Sequence, residues 1–455
     1  MAIETINPAT GERVRQFAPH TAADVEARLA RAAEAARAWR QLRVADRARV
    51  VAQAGALLER DRERYARLMT LEMGKLFAAA RDEAVKCALA CRYYAEHAHS
   101  MMAAKPVPAE AEEARIEFHP LGVVLAVMPW NFPFWQVIRF AAPALVAGNV
   151  GLLKHASNVP QCALALEQLF ADAGAPPGVF QTLLIPSPAV EGVIADPRVA
   201  AVTLTGSEAA GAQVAAAAGR QLKKSVLELG GSDAFVVMPS ADVERAAEMA
   251  VRARTINNGQ SCIAAKRFIV HRDVADAFLA RFVPAMQALV VGDPMDDRTQ
   301  VGPLASAGAV RDLEHQVARS VAMGARVLTG GGRVAGPGFY FQPTVLADVP
   351  AGSPAGADEL FGPVASVFVA RDLDDAVRIA NGTRFGLGAS AWTRERAEAK
   401  RLARELEAGS VFVNAMVSSD PRFPFGGVKR SGYGRELSAF GLREFVNVKT
   451  VRIRL

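Results

Sequence analysis

Apolar runs are short in this chain of 455 residues. Stretches such as residues 121–128 fall well below the roughly 20 residues that a bilayer-spanning helix needs. No membrane span is expected. Cysteine is scarce, with only Cys87, Cys91, Cys162 and Cys262. Four in so long a chain make no disulfide framework, and a reducing cytoplasm is the expected compartment. The start, Met-Ala-Ile-Glu-Thr, lacks the basic and apolar regions of a secretory leader, so none is expected. Charge of one sign is also lacking: 53 Lys and Arg face 47 Asp and Glu, for a net charge of +6. The cations are scattered and no aromatics interleave with them, which argues against nucleic acid. The mild positive field would still attract an anionic cofactor and an anionic substrate. No internal repeat or low-complexity linker is visible.

What remains is a soluble globular composition, with length for two or three domains. Residues 21–100 read as helices: one from the capping signal at Thr21 to about Arg40, a second over 45–60 and a long one over 75–98. Residues 103–120 are Pro- and Glu-rich, then extended, as in a protruding arm. Short β-type runs follow at 121–127, 150–154, 202–205 and 234–237, separated by helical stretches. That alternation predicts parallel α/β architecture. A second set alternates helices (241–255, 274–290, 373–381, 394–406) with strands (267–271, 326–328, 364–370, 389–392, 410–414). The change of set falls near Gly230-Gly231. Residues 447–455 alternate as a terminal strand.

Cys262 stands in Asn257-Asn258-Gly259-Gln260-Ser261-Cys262, a polar loop between a helix and a strand. Structural cysteines prefer apolar surroundings, so a thiol here is a candidate nucleophile. Glu228, in Glu228-Leu229-Gly230-Gly231-Ser232, is a candidate base 34 residues upstream. Taken alone, both have ordinary readings: a bystander thiol and a solvated carboxylate. Three further segments are informative: Met128-Pro129-Trp130-Asn131-Phe132-Pro133, Thr205-Gly206-Ser207 with Gly211, and Glu359-Leu360-Phe361-Gly362-Pro363. Gly206-Ser207 follows a strand and would open a helix, a context that suits a pyrophosphate. The glycine fingerprint of a dinucleotide fold is absent after the first strand.

In order and spacing these five segments resemble the aldehyde dehydrogenase superfamily. The likeness covers nearly the whole chain and extends to residues 424–432. It implies an α/β fold with a Rossmann-type cofactor domain (1–102 and 121–230), an α/β catalytic domain (231–428) and a small β oligomerisation arm with the C-terminal tail (103–120 and 429–455). A homodimer or homotetramer is implied. By resemblance Cys262 is the nucleophile, Glu228 activates the hydrolytic water, and Asn131 joins the Cys262 N–H in holding the oxyanion. Branches that pass the thioester to coenzyme A lack this Glu, so hydrolytic release is implied. Trp130, Lys154, Ala156, Ser157, Gly206, Ser207, Leu229, Glu359 and Phe361 would bind the cofactor.

NAD-preferring members usually carry Glu three residues after the lysine. Here Ser157 stands there. A hydroxyl accommodates a 2′-phosphate that a carboxylate would repel, and Lys154 adds positive charge. NADP is therefore the expected cofactor, with NAD the weaker alternative. His155 has no partner at ligand spacing and reads as a packing residue, as do Cys87 and Cys91.

Arg139 lies on an apolar helix eight residues beyond Asn131. It matches the carboxylate-binding arginine of the succinate-semialdehyde branch, and Ser419 matches that branch's serine; an internal salt bridge is the other reading of Arg139. Several members of the branch have a second arginine near the position of Ile256, which this chain lacks. The expected substrate is a small anionic aldehyde, succinate semialdehyde first and glutarate semialdehyde as alternative. Two other classes were weighed: a non-enzymatic module of this fold, which would lose Cys262, Glu228 or Asn131, and a cysteine hydrolase, which would need a His base that no motif supplies.

Overall fold

The computed structural model describes residues 3–109 and 113–454. Residues 110–112 of the expected arm, Leu455 of the expected terminal strand and residues 1–2 lie outside the described residues. Among the described residues no helix is long and apolar enough to cross a membrane.

Two α/β sheets carry the molecule. The first has six strands, in the order Gly432–Tyr433, Lys224–Glu228, Val199–Thr205, Val123–Met128, Val150–His155, Phe180–Thr182. All pair in parallel except Gly432–Tyr433, which runs antiparallel to Lys224–Glu228. These strands are almost continuously apolar because helices cover both faces. The chain starts in the middle, at Val123–Met128, builds outward to Phe180–Thr182, then returns to the other side with Val199–Thr205. Strand order therefore reverses between Val123–Met128 and Val199–Thr205, and ligands of doubly wound sheets bind beyond the carboxyl ends at such a point. Trp130-Asn131 and Gly206-Ser207 lie there.

The second sheet has seven strands, ordered Arg326–Thr329, Thr344–Ala347, Val364–Ala370, Ala265–His271, Asp233–Val237, Gly388–Trp392, Ser410–Val413. Only Arg326–Thr329 is antiparallel. A third sheet of three strands joins Val446–Ile453 to Glu113–Pro120 and Lys105–Pro106. Within the segment expected as tail, residues 432–433 thus join the first sheet before the strand Val446–Ile453 begins.

Four helices position the site: α1 (Phe77–Met102), α2 (Trp135–Ala147), α3 (Glu208–Arg220) and α4 (Val243–Thr255). All 13 residues of α2 are buried, so this helix is a core element with no solvent face. The predicted capping box at Thr21 is formed, with Asp24 Oδ2 accepting the Thr21 N–H at 2.8 Å and Thr21 Oγ1 the Asp24 N–H at 3.2 Å. Among the elements that the sequence reading lacks are the hairpin Ile3–Ile6 with Arg13–Phe17, the helices Arg62–Met73 and Ala307–Ala322, and the strands Phe180–Thr182, Lys224–Glu228, Thr344–Ala347 and Gly432–Tyr433.

Candidate active site

The thiol sits where α4 ends and the chain turns back. Asn257, Asn258 and Gly259 take left-handed conformations in succession, at φ 54°, 58° and 78°. Asn and Gly are the residues that tolerate this at least cost. The turn is held by Asn257 Nδ2, which donates to Asn131 O at 2.8 Å and Gln260 O at 2.9 Å. Asn258 Nδ2 donates to Gly74 O at 2.9 Å and Pro303 O at 3.1 Å. A β-carbon on Gly259 would run into the Gly362 backbone, so the Cys262 loop is seated on the Glu359–Pro363 segment.

Cys262 lines a cavity of 270 Å³ together with Trp130, Asn131, Gln136, Thr205, Gly206, Ser207, Leu229, Gly230, Glu359 and Phe361. The predicted oxyanion donor and most predicted cofactor residues thus meet the thiol. Asn131 is buried and its Nδ2 donates to Gln260 O at 3.2 Å. Burial pushes the Cys262 thiol up to about 12, with the cations of Lys266 and Arg139 pulling it back. Lys266, which sequence reasoning passed over, is itself buried. Its Nζ donates to the carbonyls of Ser261 (2.8 Å) and Cys262 (2.7 Å) and pairs with Glu359 at 3.2 Å. Glu359 also accepts the Gly231 N–H at 3.2 Å. One cation therefore ties the thiol loop to the residue expected at the nicotinamide ribose.

The anion end of the cavity is the start of α3. Ser207 caps it, accepting the Ala210 N–H at 3.3 Å. Gly211 is required because a β-carbon there would meet Leu229 Cδ2 at 2.5 Å. Free N–H groups and the helix dipole suit a pyrophosphate. Trp130 and Phe361 meet edge to face, ring centroids 5.7 Å apart. Lys154 is the next-to-last residue of the strand Val150–His155, which half-buried Ala156 and Ser157 follow. Lys154 is only 6% exposed, burial lowers its pKa, and no carboxylate pairs with it among the described residues. His155 packs, with its ring nitrogens facing Pro133 O at 2.9 Å and Met128 O at 3.3 Å.

Glu228 ends the strand Lys224–Glu228, where the sequence placed it on a loop. Its side chain does not line the Cys262 cavity; it turns toward Gly426, and neither oxygen has a partner. Burial, then the neighbouring Glu436, raises its pKa, so this carboxyl holds its proton well above the usual carboxylate range.

The sequence leaves two readings of Arg139, a carboxylate anchor and an internal salt bridge. Of the two readings, the structure shows the internal salt bridge: its guanidinium pairs with Glu436, both nearly inaccessible. It also donates to Thr205 Oγ1 at 3.3 Å and lies 4.7 Å from the Phe425 ring centroid. Its charge is neutralised inside the chain. Ser419 is buried as well, and its Oγ accepts from Lys86 Nζ at 2.8 Å. Lys86 was missed. Its only signal in the sequence is a cation one turn after Glu83 on an Ala- and Cys-rich helix.

The model of the aldehyde dehydrogenase family matches residues 1–451. The succinate-semialdehyde dehydrogenase [NADP(+)] 1 of Mycobacterium tuberculosis is 56% identical over 456 residues, covering 100% of both chains. The succinate-semialdehyde dehydrogenase [NADP(+)] of Mycolicibacterium paratuberculosis is 55% identical, over 100% of this chain and 97% of its own. Among solved structures, succinic semialdehyde dehydrogenase from Streptococcus pyogenes in complex with NADP+ superposes with a TM-score of 0.97 at 38% identity, covering 99% and 100%. Gox0499 superposes at 0.98 with 42% identity and full coverage of both chains.

Proposed function

The chain belongs to the aldehyde dehydrogenase family, and from that premise we propose that it oxidises succinate semialdehyde to succinate with NADP as hydride acceptor. The observation that carries the chemistry is that one cavity holds the thiol of Cys262, the amide of Asn131 and the opening of α3. The buried, carboxylate-free Lys154 beside Ser157 supports NADP over NAD.

Cys262 attacks the aldehyde carbon as the thiolate. Its proton must first pass to solvent water; burial, which pushes the thiol up to about 12, opposes that loss, and the cations of Lys266 and Arg139 favour it. The oxyanion that forms is held by Asn131 Nδ2, released from Gln260 O, and by the Cys262 N–H. A nicotinamide held by Glu359 and Phe361 would supply a hydride acceptor, and the acyl group left on Cys262 sulfur would be a thioester. Glu228 must swing from its Gly426 side and give its proton to solvent; as the carboxylate it then takes a proton from the attacking water, whose oxygen displaces the Cys262 thiolate to give the acid. Lys266 keeps the Cys262 loop and Glu359 in register through these steps. The three-stranded sheet, with Val448 and Ile453 exposed on Val446–Ile453, supports assembly into a homodimer or homotetramer. The four free cysteines suit a reducing cytoplasm.

The test follows absorbance of the reduced cofactor with NADP or NAD against an aldehyde panel. The highest kcat/KM should fall on NADP with succinate semialdehyde. Cys262→Ala should lose turnover by at least about a thousandfold while NADP still binds, because only the covalent step is removed. Near-normal turnover by that variant would refute the mechanism.

A further inference from the structure

The charged groups near Ser419 are nearly all paired. Glu83 pairs with Lys75 and also accepts the N–H groups of Phe134 and Trp135 at 2.9 Å each. Arg139 pairs with Glu436. Asp420, beside Ser419, is held by Arg422 at 2.6 Å. Lys86 is the exception. Its ammonium lies 4.3 Å from the Trp135 ring centroid and donates to Ser419 Oγ at 2.8 Å. Among the described residues no carboxylate stands within ion-pair distance of it, and Glu83 and Asp420 act on its charge from farther off. A partly buried cation left with a hydroxyl and an aromatic face is incompletely solvated, and a carboxylate would complete it.

The surroundings fit such a ligand. Lys86 lines a second cavity, of 380 Å³, with Phe132, Arg252, Ile256, Asn257 and Met416. Phe132 follows Asn131 in the chain, and Asn257 is hydrogen-bonded to Asn131 O. The second cavity therefore abuts the wall that carries the oxyanion donor. Arg252 is exposed on this cavity and forms no ion pair among the described residues. Lys75 and Glu83 cancel, and exposed Asp82 opposes one cation, so the cavity keeps an excess of positive charge. Trp135 is held by Glu83 through its N–H and lies under Lys86 by its ring, so helix α1 fixes both the cation and its platform.

We propose that Lys86, which donates to Ser419 Oγ, is a further anchor that reads the distal carboxylate of the substrate. The inference rests on the proposed substrate class and deepens it. A semialdehyde would lie with its carboxylate at Lys86 and its aldehyde at Cys262. An uncharged aldehyde of the same length would make only the second contact.

Lys86→Met keeps length and apolar bulk and removes the charge. KM for succinate semialdehyde should rise about thirtyfold, the size of one charged hydrogen-bond contact, with kcat and the values for butanal little changed. Lys86→Arg should restore much of the loss. Ser419→Ala should act in the same direction and more weakly. Unchanged discrimination between the two aldehydes in Lys86→Met would overturn the assignment, and so would equal loss for both, which would make Lys86 a packing residue. A wild type that oxidises butanal as readily as succinate semialdehyde would overturn the substrate reading, and the anchor with it. The wild-type measurement alone separates that case from failure of the anchor.

Discussion

Four of the buried or partly buried lysines divide into two pairs. Lys75 and Lys266 meet carboxylates of the chain, Glu83 and Glu359. Lys86 and Lys154 meet none among the described residues; the first faces Ser419 and the second stands near Ser157. All four bear the same desolvation penalty in kind, but only the first two are compensated within the fold. A cation satisfied internally holds elements together: Lys75 steadies the start of α2, and Lys266 steadies the thiol loop. A cation left unsatisfied is stabilised only when an anion arrives. The two unpaired lysines mark the two ends of the proposed chemistry, the cofactor's phosphate and the substrate's carboxylate.

The sharpest way to break this division is to remove one lysine of each kind. Lys75→Met leaves the Glu83 carboxylate buried with only two N–H partners. Breaking one side of a buried pair costs roughly 3–5 kcal/mol, so the melting temperature should fall by several degrees. Lys86→Met removes a cation that had no counterion and should change stability by less than about 1 kcal/mol. Thermal melts of the cofactor-free proteins decide. If both variants fall equally, paired and unpaired lysines do not differ and the reading of Lys86 as a ligand group loses its physical basis.

The sequence could show only part of this division. Features written in neighbouring residues were legible. Asn257-Asn258-Gly259 marked a polar loop before the thiol, Gly206-Ser207 announced a helix start, and Thr21 with Asp24 announced a cap. The alternation of strands and helices gave the α/β class, since both faces of each parallel sheet must be covered. Pairings across the chain were not legible. Lys86 reaches Ser419 over a separation of 333 residues, and Arg139 reaches Glu436 from a different part of the fold. Periodicity says that Arg139 lies on an apolar helix, and it cannot say which carboxylate waits opposite. The helix Arg62–Met73 went unseen for another reason. It follows Val44–Arg60 after Asp61 alone, with no Gly or Pro to mark the break. Glu228 was read as a loop residue because glycines follow it, yet the strand continues through it and ends there.

The second prediction turns an unpaired lysine into a paired one. Ser157→Glu would offer Lys154 the carboxylate that Lys75 already has. The 2′-phosphate would then meet repulsion instead of a hydroxyl donor. The ratio of kcat/KM for NADP over NAD should fall about ten- to a hundredfold, the value of one charged contact. A wild type that already prefers NAD would show that the bare cation at Lys154 does not select the phosphate.

Glu228 extends the comparison to the opposite charge, with a smaller expected effect. It is a buried carboxyl with no hydrogen-bond partner, as Lys86 and Lys154 are cations without a carboxylate. Burial raises its pKa, so the folded protein binds this proton more tightly than the unfolded chain does. Stability from the group is therefore fully present below the unfolded carboxyl value, near 4.3. It is lost as pH rises from there toward the raised folded value. Glu228→Gln keeps the shape and removes the titration. At pH 4 the two proteins should melt at nearly the same temperature. At pH 7 the variant should be the more stable, because only the wild-type chain gains by releasing a proton on unfolding, whereas the uncompensated polar group is common to both. Arg139 stays paired with Glu436 in both proteins, so that pair adds little to the difference. A melting difference that stays constant between pH 4 and pH 7 would mean that Glu228 finds a partner in solution, most simply by turning toward the Cys262 cavity. The buried position would then not be the resting place of the base.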